Sequence, residues 1–140
     1  MKTLIFLTAE NANLTIDNKI NIFSIFNQIN ATGFPTGFPH LTVVIKLGLE
    51  LAERPENRKL TLYFSGEDCN FQQVKMFENV FSFPPRVGGL TPEHVVILNI
   101  NMIGFPEPGT YQFILHIDDQ FQSSLSLYAS IVPEQPKIGG

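Results

Sequence analysis

The chain has 140 residues, 44% of them hydrophobic, with 13 Phe and no Trp, which suits one domain with its own core rather than several. Net charge is −4 and the nine Lys and Arg stand scattered, so nothing in the pattern neutralises phosphates or anionic lipid, and neither nucleic acid nor membrane is an expected partner. The single cysteine, Cys69, excludes an intrachain disulfide framework and fits a reducing, cytoplasmic setting.

Lys2 followed by Leu4-Ile5-Phe6-Leu7 imitates a signal peptide, but the apolar stretch is too short for one, and a buried first strand accounts for it better. Two alternating runs, Leu14-Thr15-Ile16 and Lys19-Ile20-Asn21-Ile22, flank Asp17-Asn18. Both central residues tolerate positive φ, which predicts a hairpin with a two-residue type I′ turn whose second arm continues to Phe26. From Leu41 to Leu51 the odd positions are all apolar, against Thr42, Lys46, Gly48 and Glu50 on the other parity. That is a strand with one buried face. Leu60, Leu62 and Phe64 repeat the pattern after a polar turn, and the two strands are expected to pair antiparallel.

Phe71–Phe83 fits either period, and its β-branched and aromatic content with Pro84-Pro85 at its end favours a strand. A minor helix near Leu90–His94 is possible after the turn at Gly88-Gly89. Val95–Met102 is apolar on both parities, as in a strand covered on both sides. Tyr111–Ile117 and Leu125–Ile131 alternate, separated by Asp118-Asp119-Gln120. Pro133–Gly140 lacks periodicity and is expected to be a flexible tail. About eight strands with no long helical pattern predict an all-β fold, a two-sheet antiparallel β-sandwich over residues 1–132.

Ala9, Asp17–Ile22, Ile25-Phe26, Phe38-Pro39-His40 and the run Phe105-Pro106, Gly109-Thr110-Tyr111, Phe113 and Ile117-Asp118 resemble a family of small prokaryotic proteins known only as a domain of unknown function. The resemblance covers about Ala9 to Ile131, with Asn18 standing where the family has a turn glycine. It implies an immunoglobulin-like or similar sandwich and brings no activity. Pro108–Phe113 also looks like the last strands of immunoglobulin-like modules, where such a tyrosine turns its hydroxyl to the backbone; Tyr111 is expected to do the same.

Chemistry-bearing residues are sparse. His40, His94 and His116 lack metal-ligand spacing, so no metal or cofactor is expected. Cys69 has no sequence neighbour that supplies a positive charge and is expected to be a small, half-buried structural side chain. The acidic pairs Glu67-Asp68 and Asp118-Asp119 could ligate calcium at one end of a sandwich, although Asp in turns ordinarily bonds its own backbone.

Four Phe-Pro steps give Phe34, Phe38, Phe83 and Phe105. Their rings either plug the core ends or form an exposed interaction patch. The expected function is a non-catalytic protein-interaction module, acting on a protein partner or by self-association. The alternatives are a structural subunit of a larger phage or secretion-type particle, a calcium-binding sandwich, or an enzyme built on one of the histidines.

Overall fold

Period-two alternation becomes extended strand over most of the chain. The computed structural model describes residues 1–133. It forms β1 (Lys2–Leu14), β2 (Ile20–Phe26), β3 (Gln28–Ala31), β4 (Thr36–Gly48), β5 (Arg58–Gly66), β6 (Phe71–Phe81), β7 (Glu93–Phe105), β8 (Gly109–Ile117) and β9 (Gln120–Ile131). A four-stranded sheet in the order β2-β1-β4-β7 faces a five-stranded sheet in the order β3-β9-β8-β5-β6. The architecture is a β-sandwich. All pairs are antiparallel except β3 with β9, a short parallel rung in which the paired Ile29 and Ala129 are buried. The expected tail lies, apart from Pro133, outside the described residues.

The core is what alternation requires. Leu41, Val43, Ile45 and Leu47 of β4 meet Leu60, Leu62 and Phe64 of β5 and Tyr111, Phe113 and Leu115 of β8 across the two inner faces. That arrangement corrects the expected β4–β5 pairing. β4 hydrogen-bonds β1 and β7, and β5 hydrogen-bonds β6 and β8. Both strands carry a fully apolar face, and the connector between them crosses from one sheet to the other, so the faces pack instead of the edges. The strand also starts earlier and ends sooner than expected. Leu51, 82% exposed, belongs to the connector, where Glu53 N–H donates to the Glu50 carbonyl. The region near Leu90–His94 is not helical: Val87 and Leu90 close a turn and β7 begins at Glu93.

The first hairpin differs in two ways from expectation. Its turn is not type I′. Asn18 N–H donates to the Thr15 carbonyl and Thr15 N–H to the Lys19 carbonyl, with positive φ at Asn18 but not at Asp17. That is a three-residue loop, a type I turn followed by a left-handed residue. Asn18 therefore does the work a glycine would do there. The two-residue turn with both residues at positive φ occurs instead at Asp118-Asp119, between β8 and β9.

The second difference is a bend. Regular pairing of β1 with β2 skips Glu10 and Ser24, and Ser24 has φ 56°. Beyond it the hairpin returns over the outer face of the four-stranded sheet, so that Leu14 and Asn18 line the same groove as Lys46 and Val95. Ala12, Ile20 and Ile22 turn inward while Asn11, Asn13, Asn21 and Phe23 face out. This cover explains why Val44, whose parity points it away from the core, is fully buried. It also explains the apolar outer positions Val95 and Ile97 of β7. The cover ends before Met102, which is exposed, so the expectation of β7 covered on both sides holds only for its first half.

Candidate functional site

The four Phe-Pro rings do not form an exposed patch. Phe83 and Phe105 are 6% and 1% exposed, and Phe34 and Phe38 are half-buried against the same core. Phe105 meets Phe64 and Tyr111 edge-on at centroid distances of 5.8 and 4.9 Å, and Phe83 sits 5.3 Å from Phe81. Phe83 and Phe105 are thereby taken up by the core, while Phe34 and Phe38 keep part of their rings at the surface.

The histidines sit apart. His40 Nδ1 lies 3.0 Å from Asn101 Oδ1 on the outer face of β4 and β7, and His116 packs edge-on to Tyr63 of β5 at 5.1 Å. His94 stacks flat on Phe81 at 4.0 Å, bridging β7 to β6 across the open side of the sandwich, and burial holds its pKa below the ordinary value. Among the described residues, no ion pair or hydrogen bond joins these rings to a carboxylate, and no cluster of three metal-ligating side chains occurs.

The acidic turns are occupied by the protein's own groups. Asp118 accepts from Arg58 Nε at 2.7 Å and from the Lys59 backbone N–H at 2.9 Å, and Asp119 pairs with Lys59 Nζ at 2.6 Å. Burial alone would raise the Asp118 carboxyl, but these donors outweigh it and hold its pKa below the usual range. Glu67 accepts from Gln112. Oxygens already committed to basic partners make poor calcium ligands.

Tyr111 is buried and its hydroxyl donates to the Glu107 carbonyl at 2.7 Å while accepting from Glu107 N–H at 3.2 Å. Burial, with the Cys69 thiol beside it, pushes its pKa up to about 12. Cys69 is half-buried and packs on the core edge. Gly66 has to be glycine here, because a Cβ would stand 2.5 Å from Cys69 Sγ and 2.6 Å from Phe71 Cβ.

A concavity lies elsewhere, between the folded-back hairpin and the connector from β6 to β7. It is an open groove of about 470 Å³. Leu14 and Asn18 form one wall, Lys46 and Val95 the floor, and Pro84, Pro85, Val87, Leu90 and Pro92 the other wall. Lys46 Nζ and Glu93 Oε2 pair at 3.2 Å on its floor. The connector is held in place: Phe83 N–H donates to the Pro55 carbonyl, Arg86 donates to the Glu50 carbonyl at 2.8 Å, and Leu49 N–H donates to the Pro92 carbonyl. Its tip is the turn Val87-Gly88-Gly89-Leu90, with φ 59° at Gly88 and a Leu90 N–H to Val87 carbonyl bond. Val87 and Leu90, 69% and 72% exposed, therefore stand side by side on a tethered turn. Sequence reasoning missed this pair. The available signal was two large aliphatics flanking Gly-Gly inside a segment bounded by Pro84-Pro85 and Pro92, since turns usually carry polar residues there.

Among solved structures, a superoxide reductase (neelaredoxin) from Ignicoccus hospitalis aligns at TM-score 0.34 and 14% identity over 89% of this chain and 80% of that one. A variant of it aligns at 0.35 and 15% over 74% of each chain. No argument follows from likeness at that level. Comparison with curated proteins finds no match. The model of DUF6941, a family of unknown function, matches residues 4–130. Running from within β1 to within β9 and so over nearly all of the sandwich, that match makes the chain a member of the DUF6941 family.

Proposed function

We propose that the protein is a non-catalytic interaction module whose groove beside the folded-back hairpin takes an apolar segment of a protein partner. The observation that carries this is the pair Val87 and Leu90, exposed on a turn that Arg86 and three prolines hold fixed. A preformed apolar wall costs little ordering on binding, and the Lys46–Glu93 pair supplies a polar handle at the groove floor. The same reading includes a cytoplasmic setting, supported by the single unpaired Cys69, and an immunoglobulin-like character, supported by the Tyr111 hydroxyl returning to the backbone. Membrane and nucleic-acid partners stay outside it on the scatter of its basic residues.

The test is selection of peptides from a random library on the immobilised protein. The expected result is enrichment of sequences with a large apolar anchor, which shift the amide resonances of residues 84–95 and of Lys46. Val87→Lys with Leu90→Lys should abolish binding without lowering the melting temperature, since both side chains are exposed. No enrichment, or binding that survives the double change, would reject the groove.

A building-block role in a larger particle is the second reading. It is favoured by one specific feature, the edge of β7, which carries no charge over Val95–Asn101 and has no partner strand among the described residues.

A further inference from the structure

β7 closes one side of the four-stranded sheet and pairs only with β4, leaving an outer row of backbone N–H and C=O groups without a partner strand among the described residues. Sheets ordinarily guard such rows with charge, proline, bulges or short length. The other three edges carry these guards. β3 is only four residues long. β6 bears Lys75 and Glu78, and its ladder with β5 is interrupted twice. β2 bends out of the sheet at Ser24.

β7 is unlike them. Its register with β4 is unbroken from Glu93 to Asn101. Within that span Val95–Asn101, Val-Val-Ile-Leu-Asn-Ile-Asn, contains no charge, no proline and no glycine. The first irregularity comes only at Met102, with φ 59°.

We propose that this edge pairs with the same edge of a second copy, antiparallel about a two-fold axis, joining two four-stranded sheets into one of eight. The argument for a second copy is charge. A segment with no charge meets its own copy without like-charge opposition, whereas a charged partner strand would find nothing on it to pair with. Symmetry adds a constraint. An axis within Val95–Asn101 that sets odd residues opposite odd ones keeps both core faces on the same side of the joint sheet. Asn99 and Asn101 then lie along the seam on the outer face, where their amides both donate and accept. The seam meets the groove only at Val95, and its central residues Val96–Asn101 lie outside it, so either surface can fail without the other.

The experiment is sedimentation equilibrium from nanomolar to high-micromolar protein, with amide hydrogen exchange measured at both extremes. The expected result is a monomer–dimer equilibrium in which amides of residues 95–101 gain protection as concentration rises. Asn99→Lys and Asn101→Lys each put like charges across the seam and should weaken association at least about tenfold. Thermal melts of the dilute variants establish that they remain folded. Mixing Asn99→Lys with Asn99→Glu should restore the dimer. Val80→Lys, on the exposed face of β6, should leave association unchanged. A monomer at every concentration would overturn the proposal. So would a dimer that both lysine variants leave intact, failure of the mixed pair to associate, or protection confined to residues 84–92.

Discussion

Tyr111 shows how one hydroxyl can hold a crossing between sheets. β7 ends in one sheet and β8 begins in the other, and the short link at Pro106–Pro108 has no ladder to satisfy its backbone. The Tyr111 hydroxyl bonds both the N–H and the carbonyl of Glu107 from four residues downstream, while its ring stacks on Phe64 at 5.5 Å. Tyr111→Phe keeps the ring and leaves the two Glu107 groups without that partner. A loss of about 1–2 kcal/mol in denaturant unfolding is expected, in line with removal of a partly buried hydrogen-bonded pair. A change near zero would show that water replaces the hydroxyl. This much was legible beforehand, because a tyrosine just after Pro-Gly at the start of an alternating strand has few other uses. The Cys69–Gly66 approach was not, since it depends on a chain reversal that spacing does not encode.

At the scale of elements, the first hairpin offers a test that separates two turn types. In the observed loop Ile16 and Asp17 occupy the two central positions of a type I turn and Asn18 the left-handed position. Proline suits the first central position and is disfavoured at the second, where it would force Ile16 out of helical backbone. Ile16→Pro is therefore expected to leave the melting temperature within a degree or so, or raise it slightly. Asp17→Pro should lower stability by more than about 1 kcal/mol. Equal damage from both would restore a two-residue turn. The same hairpin marks the limit of what alternation reveals. Leu41–Leu47, Leu60–Phe64 and Tyr111–Ile117 announced their buried faces because one parity was apolar throughout. Which sheet each strand joins was hidden, because that is decided by connectors such as Glu50–Asn57 whose crossing costs no apolar signal. The exposure of the Phe-Pro rings was hidden for a related reason: a loop has no period, so nothing in the order of residues says whether its ring points in. The bend at Ser24 came with no glycine or proline to announce it.

At the scale of the molecule, His94 ties the two sheets together along their open side. Its ring reaches from β7 to Phe81 of β6, with Phe83 edge-on at 6.3 Å. Burial depresses its pKa, so the unfolded chain takes up the proton more readily than the folded one. The stabilisation from neutral His94 is therefore complete above the ordinary value of 6.5 and is lost progressively as pH falls from there toward the depressed folded value. His94→Phe retains a flat ring on Phe81 and removes the titration. Denaturant midpoints measured between about pH 7 and 5 should fall less steeply in the variant than in the parent chain, and identical slopes would count against the assignment. The strand order carries a further consequence, for synthesis on the ribosome. The four-stranded sheet is complete once β7 has emerged, but β8, which joins the centre of the opposite sheet, and β9, which holds β3, are still to come. For that interval Leu41, Val43 and Ile100 have only the β5–β6 hairpin to cover them, beside an unguarded Val95–Asn101 edge. Nascent chains that have emerged from the ribosome only as far as the link between Phe105 and Gly109 are thus the species most in need of a chaperone, and the tight Asp118-Asp119 reversal is what shortens their wait by bringing β9 in immediately behind β8.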